Sequence, residues 1–301
     1  MSLRFPGIVA AIAVVPLALA GCAGASSPSG TDDGRISVVA VTDVWGDVAK
    51  QVGGDLVDVT AFIKGTSQDP HSFEATAQDQ LAVRNADLIV ENGGGYDDFM
   101  GTLIDASGTS APVIDAVDVS GLPGAGEDGF NEHVFYDFGA VGRVAEAIAE
   151  ALSAADPDDA ATFDANLSSF TDRLAALTDR EAEIAKTAAG AEVVITEPVP
   201  LYLLEASGFE NVTPEAFSEA IEEGTDISPA LLDEVIGLVR GGTVRLFAVN
   251  SQTTGPESEA VSAAAEQAGV PTVGFTETLP DGQDYLSWMA ANLDAVAAAL
   301  K

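Results

Sequence analysis

The stretch DDAATFDANLSSFTDRLAALTDREAEIAKTAA, residues 158–189, contains neither glycine nor proline and has the pattern of one long helix. Its charged residues, Glu181 among them, are expected on the surface. Asp156 and Pro157 come just before this stretch and are typical of a helix start. The apolar residues recur at intervals of three, four or seven positions, as on one side of a helix: Phe163, Leu167, Phe170, Leu174, Leu177 and Ile184.

The length of this predicted helix, residues 156–189, bears on the domain organisation. About 30 residues at 1.5 Å per residue span roughly 45 Å, which exceeds the width of a small domain. We therefore predict that the helix runs along two lobes and joins them, an N-terminal lobe at residues 35–155 and a C-terminal lobe at residues 190–301. A coiled-coil dimer is the alternative, although the apolar stripe covers only about three heptads.

Short apolar runs alternate with helical patterns on both sides of that helix. Most runs are apolar throughout, which is typical of strands covered on both faces in a parallel sheet. Strands and helices in alternation indicate βαβ units. The predicted fold class is α/β, with two lobes that each contain a mainly parallel β-sheet flanked by helices. The predicted strands are Ile36–Val41, Val57–Ile63, Asp87–Glu91, Pro112–Asp115, Val193–Thr196, Val244–Val249 and Thr272–Phe275.

The start of the chain has the pattern of an exported protein. Arg4 precedes an apolar run from Phe5 to Leu19, and the run ends in the box LAGC, which is similar to the bacterial lipobox. We predict a signal peptide over residues 1–22 and a lipid on Cys22, which would anchor the mature chain at the extracytoplasmic face of the cell membrane. Residues 23–34, AGASSPSGTDDG, are small and polar and predict a flexible linker.

The charge of the chain excludes one class of partner. Lysine and arginine number 12 against 48 aspartates and glutamates, so the formal net charge is −36. Such a chain would be repelled by the phosphates of a nucleic acid. The acidic residues are spread over predicted helix faces, where their main effect is solubility. We expect no nucleic-acid partner, and a monomer.

Two histidines, His71 and His133, are the only ones in the chain, and both lie in acidic, turn-rich segments. A neutral imidazole is the most common protein ligand for a transition-metal ion, and carboxylates compensate the charge of the ion. Taken alone, a histidine in such a segment is more often a solvated loop residue. Together they are candidate metal ligands.

Three segments carry a family resemblance: DPHSFEATAQD at residues 69–79, ADLIVENGG at residues 86–94, and EHVFYD at residues 132–137. They resemble the metal-receptor solute-binding lipoproteins of zinc and manganese ABC transporters, and the similarity extends over nearly the whole mature chain. The resemblance implies a metal ion held between two lobes by four side chains.

The ligand positions of that family fall on four residues of this chain: His71, His133, Glu197 and Glu277. The two glutamates follow predicted strands, at the strand ends where open α/β sheets bind ligands. Where this chain has Glu277 the family usually has aspartate, and where it has Glu132 the family usually has proline. Two imidazoles and two carboxylates favour manganese or iron by ligand type, whereas the Irving–Williams order favours zinc.

The resemblance implies a solute-binding lipoprotein that captures a divalent transition-metal ion, manganese or zinc with iron as a further candidate, and passes it to a membrane permease for import. Four protein ligands leave no open position for an activated water, so we do not expect an enzyme. The alternatives are a surface adhesion or interaction lipoprotein with a structural metal site, a metallohydrolase, and a receptor for an organic solute.

Overall fold

The computed structural model describes residues 1–2, 34–67, 70–127, 129–253 and 255–301. The predicted signal peptide, the lipidation site Cys22 and nearly all of the predicted linker lie outside the described residues. None of the helices in the described part of the chain is both long enough and apolar enough to cross a membrane.

The N-terminal lobe is built on a four-stranded parallel sheet with the order β2-β1-β3-β4. The central strand β1 is buried along almost its whole length because helices cover both faces of the sheet. The strands are β1 (Ile36–Thr42), β2 (Val57–Ile63), β3 (Leu88–Glu91) and β4 (Val113–Asp115). The helices are α1 (Asp43–Gly53), α2 (Ala77–Arg84), α3 (Asp98–Ser107), α4 (Ala116–Val119) and α5 (Phe138–Ala155).

The C-terminal lobe repeats this topology with a second parallel sheet. Its strand order, β6-β5-β7-β8, matches that of the first sheet strand for strand, although no repeat is evident in the sequence. The strands are β5 (Ala191–Ile195), β6 (Phe209–Asn211), β7 (Val244–Asn250) and β8 (Thr272–Phe275). The helices are α7 (Leu201–Ala206), α8 (Glu215–Glu222), α9 (Pro229–Arg240), α10 (Pro256–Ala268) and α11 (Tyr285–Ala299).

A 29-residue helix, α6 (Ala160–Ala188), connects the two sheets. It begins four residues after the predicted start, because the segment between Ala155 and Ala160 forms a turn. It packs on α1 and α5 of the N-terminal lobe and on α7 and α11 of the C-terminal lobe. The predicted apolar stripe packs against other elements of the same chain, since Phe163, Phe170 and Leu174 are buried in the hydrophobic core. The coiled-coil alternative is therefore wrong.

One hydrophobic core extends through both lobes. It contains Val38 of β1, Leu174 of α6, Leu246 of β7 and Trp288 of α11. A second, smaller core fills the space between the C-terminal sheet and helices α8, α9 and α10. Because the lobes share their main core, a wide hinge movement would expose a large apolar area, which costs about 25 cal/mol per Å².

The predicted fold class is confirmed: two lobes, each a parallel sheet flanked by helices. All seven predicted strands are present, with ends that differ by two residues at most. Strand β6 was not predicted, since three residues that include a charged glutamate give no strand pattern. Glu181 of α6 is 6% exposed, so the expectation that it lies on the surface is wrong. The exact lobe limits stay a prediction.

Candidate metal site

The four predicted ligand residues follow structural elements of both lobes. Glu197 comes two residues after β5, and Glu277 comes two residues after β8, at the carboxyl ends of parallel strands. His71 lies in a 3-10 turn, Pro70–Ser72, in the connection after β2. His133 lies directly before the 3-10 turn Val134–Tyr136 that leads into α5. This arrangement is the usual one for a ligand site in an open parallel sheet.

Three of the four predicted residues come together at one carboxylate oxygen. Oε2 of Glu277 is 3.5 Å from Nε2 of His71 and 3.5 Å from Nε2 of His133. The two imidazole rings have centroids 6.2 Å apart. The side chains of His133 and Glu277 are 0% exposed, whereas that of His71 is 26% exposed. The structure therefore brings His71, His133 and Glu277 together, and their role as ligands stays a prediction.

The fourth predicted residue, Glu197, is buried and is linked to this cluster through Asn250. Nδ2 of Asn250 donates to Oε2 of Glu197 and to Oε1 of Glu277, both at 2.7 Å. Oε1 of Glu197 accepts a hydrogen bond from the Thr253 hydroxyl. Asn250 is itself held in place, because its backbone N–H donates to the Thr196 hydroxyl at 2.9 Å. These bonds fix the positions of both carboxylates.

Several polar atoms in the cluster are buried without a hydrogen-bond partner among the described residues. They include Nε2 of His133, Oε2 of Glu277, Oε1 of Glu222 and the Tyr96 hydroxyl. A separation of 3.5 Å between His133 and Glu277 exceeds a normal hydrogen bond. Buried polar atoms without partners are rare in folded proteins and commonly mark a bound ion or water. Imidazole nitrogen and carboxylate oxygen are suitable donors for a divalent transition-metal ion, so the donor set fits such an ion.

Two further carboxylates, Glu132 and Glu222, lie beside the histidines. One ligand atom from each of His71, Glu132, His133 and Glu222 lies within 4.8 Å of the other three. Neither carboxylate was predicted as a ligand from the sequence. Glu132 offered a signal, since it replaces the usual proline beside His133. Glu222 is one of many glutamates on helix faces and offered none.

The orientation of His133 is set by Asn131. Oδ1 of Asn131 accepts hydrogen bonds from Nδ1 of the His133 ring at 2.8 Å and from its backbone N–H at 3.1 Å. Because Nδ1 carries the proton, Nε2 is left to bind a ligand. Asn131 also bridges the lobes, since it donates to the Pro198 carbonyl at 3.1 Å and accepts from the Tyr202 hydroxyl at 2.7 Å.

A buried chain of hydrogen bonds supports the loop before His133. Nε1 of Trp45 donates to Oδ1 of Asn92 at 3.0 Å, and Nδ2 of Asn92 donates to the Glu132 carbonyl at 2.9 Å. Gly93, the next residue, has φ of +76°, and a Cβ there would lie 2.2 Å from Oδ1 of Asp115. Only glycine fits this turn, which lets the loop approach the site closely.

The charges of the cluster shift several pKa values. Burial favours neutral His71, but the Glu277 carboxylate outweighs burial and raises the pKa of His71 to about 9. The pKa of His133 is also raised, with Glu277 again outweighing burial. Burial opposes ionisation of Glu277, yet the two imidazoles hold its pKa well below the usual range. Burial raises the pKa of Glu222 to about 7. Both shifts favour the protonated imidazole, and a metal ion that binds a ring nitrogen must displace any proton held there.

A cavity of about 720 Å³ opens beside the cluster. Its lining comes from both lobes and includes His71, Glu132, Asn131, Pro198, Glu219 and Glu222. His133 and Glu277 do not line it, so the cavity reaches the cluster from the side of His71 and the two additional glutamates. Negative charge along its wall attracts cations toward the site.

Comparisons with known proteins place the chain in a family. A family model described as "Zinc-uptake complex component A periplasmic" matches residues 38–299. The manganese-binding lipoprotein MntA of Halalkalibacterium halodurans is 28% identical over 302 aligned residues, covering 96% of each chain. The manganese ABC transporter substrate-binding lipoprotein scaA of Streptococcus gordonii is 27% identical, covering 94% of each chain.

A solved structure agrees with the fold. The periplasmic zinc-binding protein TroA of Treponema pallidum superposes with a TM-score of 0.74 at 22% sequence identity, covering 89% of this chain and 99% of TroA. That likeness concerns the fold. Because the family match extends over most of the sequence, the chain belongs to the family of periplasmic zinc-uptake complex component A proteins.

Proposed function

We propose that this protein captures a divalent transition-metal ion, manganese or zinc, outside the cell membrane and delivers it to the permease of an ABC transporter for import. Its family membership supports the proposal, as do relatives whose names describe manganese-binding and manganese-transport lipoproteins. The ion is the cargo of the protein. The relatives favour neither adhesion nor hydrolysis.

One observation carries the proposal: Nε2 of His133 and Oε2 of Glu277 are buried, lack hydrogen-bond partners among the described residues, and face each other at 3.5 Å. Leaving such atoms unsatisfied costs about 1–3 kcal/mol each. A cation between them removes that cost, and Nε2 of His71, which lies at the same distance from Oε2 of Glu277, is the proposed third donor.

The proposed ligands are His71, His133, Glu197 and Glu277. With both imidazoles neutral and both carboxylates ionised, the four ligands and a divalent ion sum to zero charge, which suits a buried site. Each carboxylate oxygen has two lone pairs, so Glu197 can bind an ion while it still accepts hydrogen bonds from Asn250 and Thr253. On a tetrahedral zinc ion, four protein ligands leave no position for an activated water, which favours carriage over hydrolysis.

The remaining parts of the proposal concern location and partners. A lipid on Cys22 would keep the protein at the extracytoplasmic face of the membrane, near the permease. The apolar face of α6 is buried within the chain, which supports a monomer. Because the lobes share one core, release of the ion is better explained by small lobe tilts and loop shifts than by a wide hinge opening.

Metal analysis of the purified protein tests this function. We expect one manganese or zinc ion per chain, and competition between the two ions for a single site. After treatment with a chelator the protein should remain folded and should rebind the ion. If the ion were structural, its removal would unfold a lobe. A purified protein that binds neither ion would contradict the proposal.

A further inference from the structure

Glu222 lies opposite the buried histidine of the site but is not among the four proposed ligands. Its Oε1 atom is 3.7 Å from Nε2 of His133, and that buried oxygen accepts no hydrogen bond from any described residue. The His133 nitrogen is likewise buried and without a hydrogen-bond partner in the described part of the chain. Two atoms that both lack partners thus face one another across the site.

The position of Glu222 is set by the second core of the C-terminal lobe. Glu222 is the last residue of α8, and that helix is held by Phe217, which is fully buried against the sheet. The Glu222 side chain is 15% exposed, so most of it is already removed from water. Its carboxylate therefore reaches His133 of the other lobe from a fixed helix end.

Glu132 adds a carboxylate from the N-terminal lobe to the same group. One ligand atom each of Glu132, Glu222 and the two histidines lies within a mutual distance of 4.8 Å, a spacing that one ion can bridge. Glu132 and Glu222 both line the cavity that leads to the site, whereas Glu277 does not. An ion between the histidines can therefore contact carboxylates on the cavity side as well as Glu277.

We propose that Glu222 is a further ligand to the cargo ion, and that its oxygen makes the site favour manganese over zinc relative to a four-ligand site. This inference rests on the proposed metal capture. Zinc is satisfied by four ligands in a tetrahedron, whereas manganese takes about six and favours carboxylate oxygen. A fifth protein ligand with an oxygen donor therefore stabilises bound manganese more than bound zinc. Selectivity of this kind comes from ligand number and type, because intrinsic affinity always favours zinc.

The test compares Glu222→Gln with Glu219→Gln in the purified full chain. Glu219 lies one turn earlier on α8, lines the same cavity and is exposed, so both variants replace one carboxylate of the cavity lining by an amide. Dissociation constants for Mn²⁺ and Zn²⁺ are measured by competition with a chelator. Pulsed electron paramagnetic resonance in deuterated water counts the water molecules bound to manganese, and thermal unfolding without metal checks the fold.

We expect Glu222→Gln to lower manganese affinity about tenfold or more, with one additional water on the ion, while zinc affinity stays close to that of the unmodified protein. Glu219→Gln should change neither. If Glu222→Gln matches Glu219→Gln in affinities and bound water, or weakens both metals equally, the role of Glu222 is overturned while metal capture stands. An unmodified protein that binds neither metal would instead overturn the proposed function.

Discussion

The two sides of the proposed metal site differ in how firmly they are held. We define the inner wall as His133, Glu197 and Glu277, all buried. Asn131 orients the histidine, and Asn250 joins the two carboxylates. We define the outer wall as His71, Glu132 and Glu222, which line the cavity and are each partly exposed or exposed.

From this difference we expect the two walls to contribute differently to metal binding. Ligands whose positions are fixed by neighbouring hydrogen bonds need little reorganisation when an ion binds, so the inner wall should supply most of the affinity. Ligands beside a solvent-filled cavity can exchange with water, so the outer wall should govern entry, release and selectivity. Substitutions in the inner wall should therefore lower metal affinity most, whereas substitutions in the outer wall should change entry, release or selectivity.

The largest effect is expected from Glu277→Gln on the inner wall. The change keeps the size of the side chain but removes the charge that both histidines face. We expect metal affinity to fall by more than about 100-fold, since this residue contacts both imidazoles. Isothermal titration with manganese and zinc measures the loss, and circular dichroism checks the fold. Binding that persists within tenfold of the unmodified protein would show that the inner wall does not hold the ion.

The second effect concerns pH and both walls. In the protein without metal the pKa of His71 is raised to about 9 by Glu277, which outweighs burial, and the pKa of His133 is raised as well. An ion binds the neutral imidazoles, so at His71 protons compete with it below about pH 9 and no longer compete above it.

We expect apparent metal affinity to fall about tenfold per pH unit for each imidazole that must release its proton. From the sequence alone, with an ordinary histidine pKa, the decline would begin only near pH 6. Metal titrations between pH 9 and pH 5 distinguish a decline in affinity that begins near pH 9 from one that begins only near pH 6. Affinity that stays constant over this range would argue against histidine ligands altogether.

A smaller effect should follow Glu197→Ala, which tests whether Glu197 acts as a ligand or only supports Asn250. We expect manganese and zinc affinity to fall about 10- to 100-fold. Asp158→Ala is the matched control, because this substitution also removes one carboxylate and Asp158 is exposed. Glu181 is not a suitable control position, because it is buried. Equal affinities in the two variants would remove Glu197 from the inner wall.

The smallest effect on binding is expected from Glu181→Gln, a change outside both walls. Burial raises the pKa of Glu181 to about 8, and the nearby Asp137 adds to the shift. In the unfolded chain this carboxyl ionises near its ordinary value of 4.5. The folded protein therefore holds the proton more tightly, and stability is lost as the pH rises from about 4.5 to about 8.

Glutamine carries no charge at any pH, so the variant should be more stable than the unmodified protein above pH 8, by an amount on the order of a few kcal/mol. The difference should vanish near pH 4. Urea unfolding of the metal-free protein above pH 8 and near pH 4 measures this difference in stability. Metal affinity should not change, and a loss of affinity would mean that α6 and the site are coupled.

Local sequence patterns were sufficient to predict the fold class and to select four candidate ligands that lie near one another. Apolar runs predicted seven of the eight strands, because a strand covered on both faces must be apolar throughout. The stripe from Phe163 to Ile184 predicted α6, because a buried helix face requires that spacing. The motifs around His71 and His133, and the strand ends before Glu197 and Glu277, identified residues that the fold brings near one another.

Which other side chains lie beside these residues depends on the tertiary structure. The helix α8 carries Glu222 to His133, and nothing near Glu222 in the sequence indicates that contact. The hydrogen bond from Asn250 to Glu197 joins residues 53 positions apart, and burial of Glu181 depends on helices packed around α6. Local patterns report which face of an element is apolar. They do not report which polar residue another element will bring within a few ångströms, because that depends on how the two lobes pack.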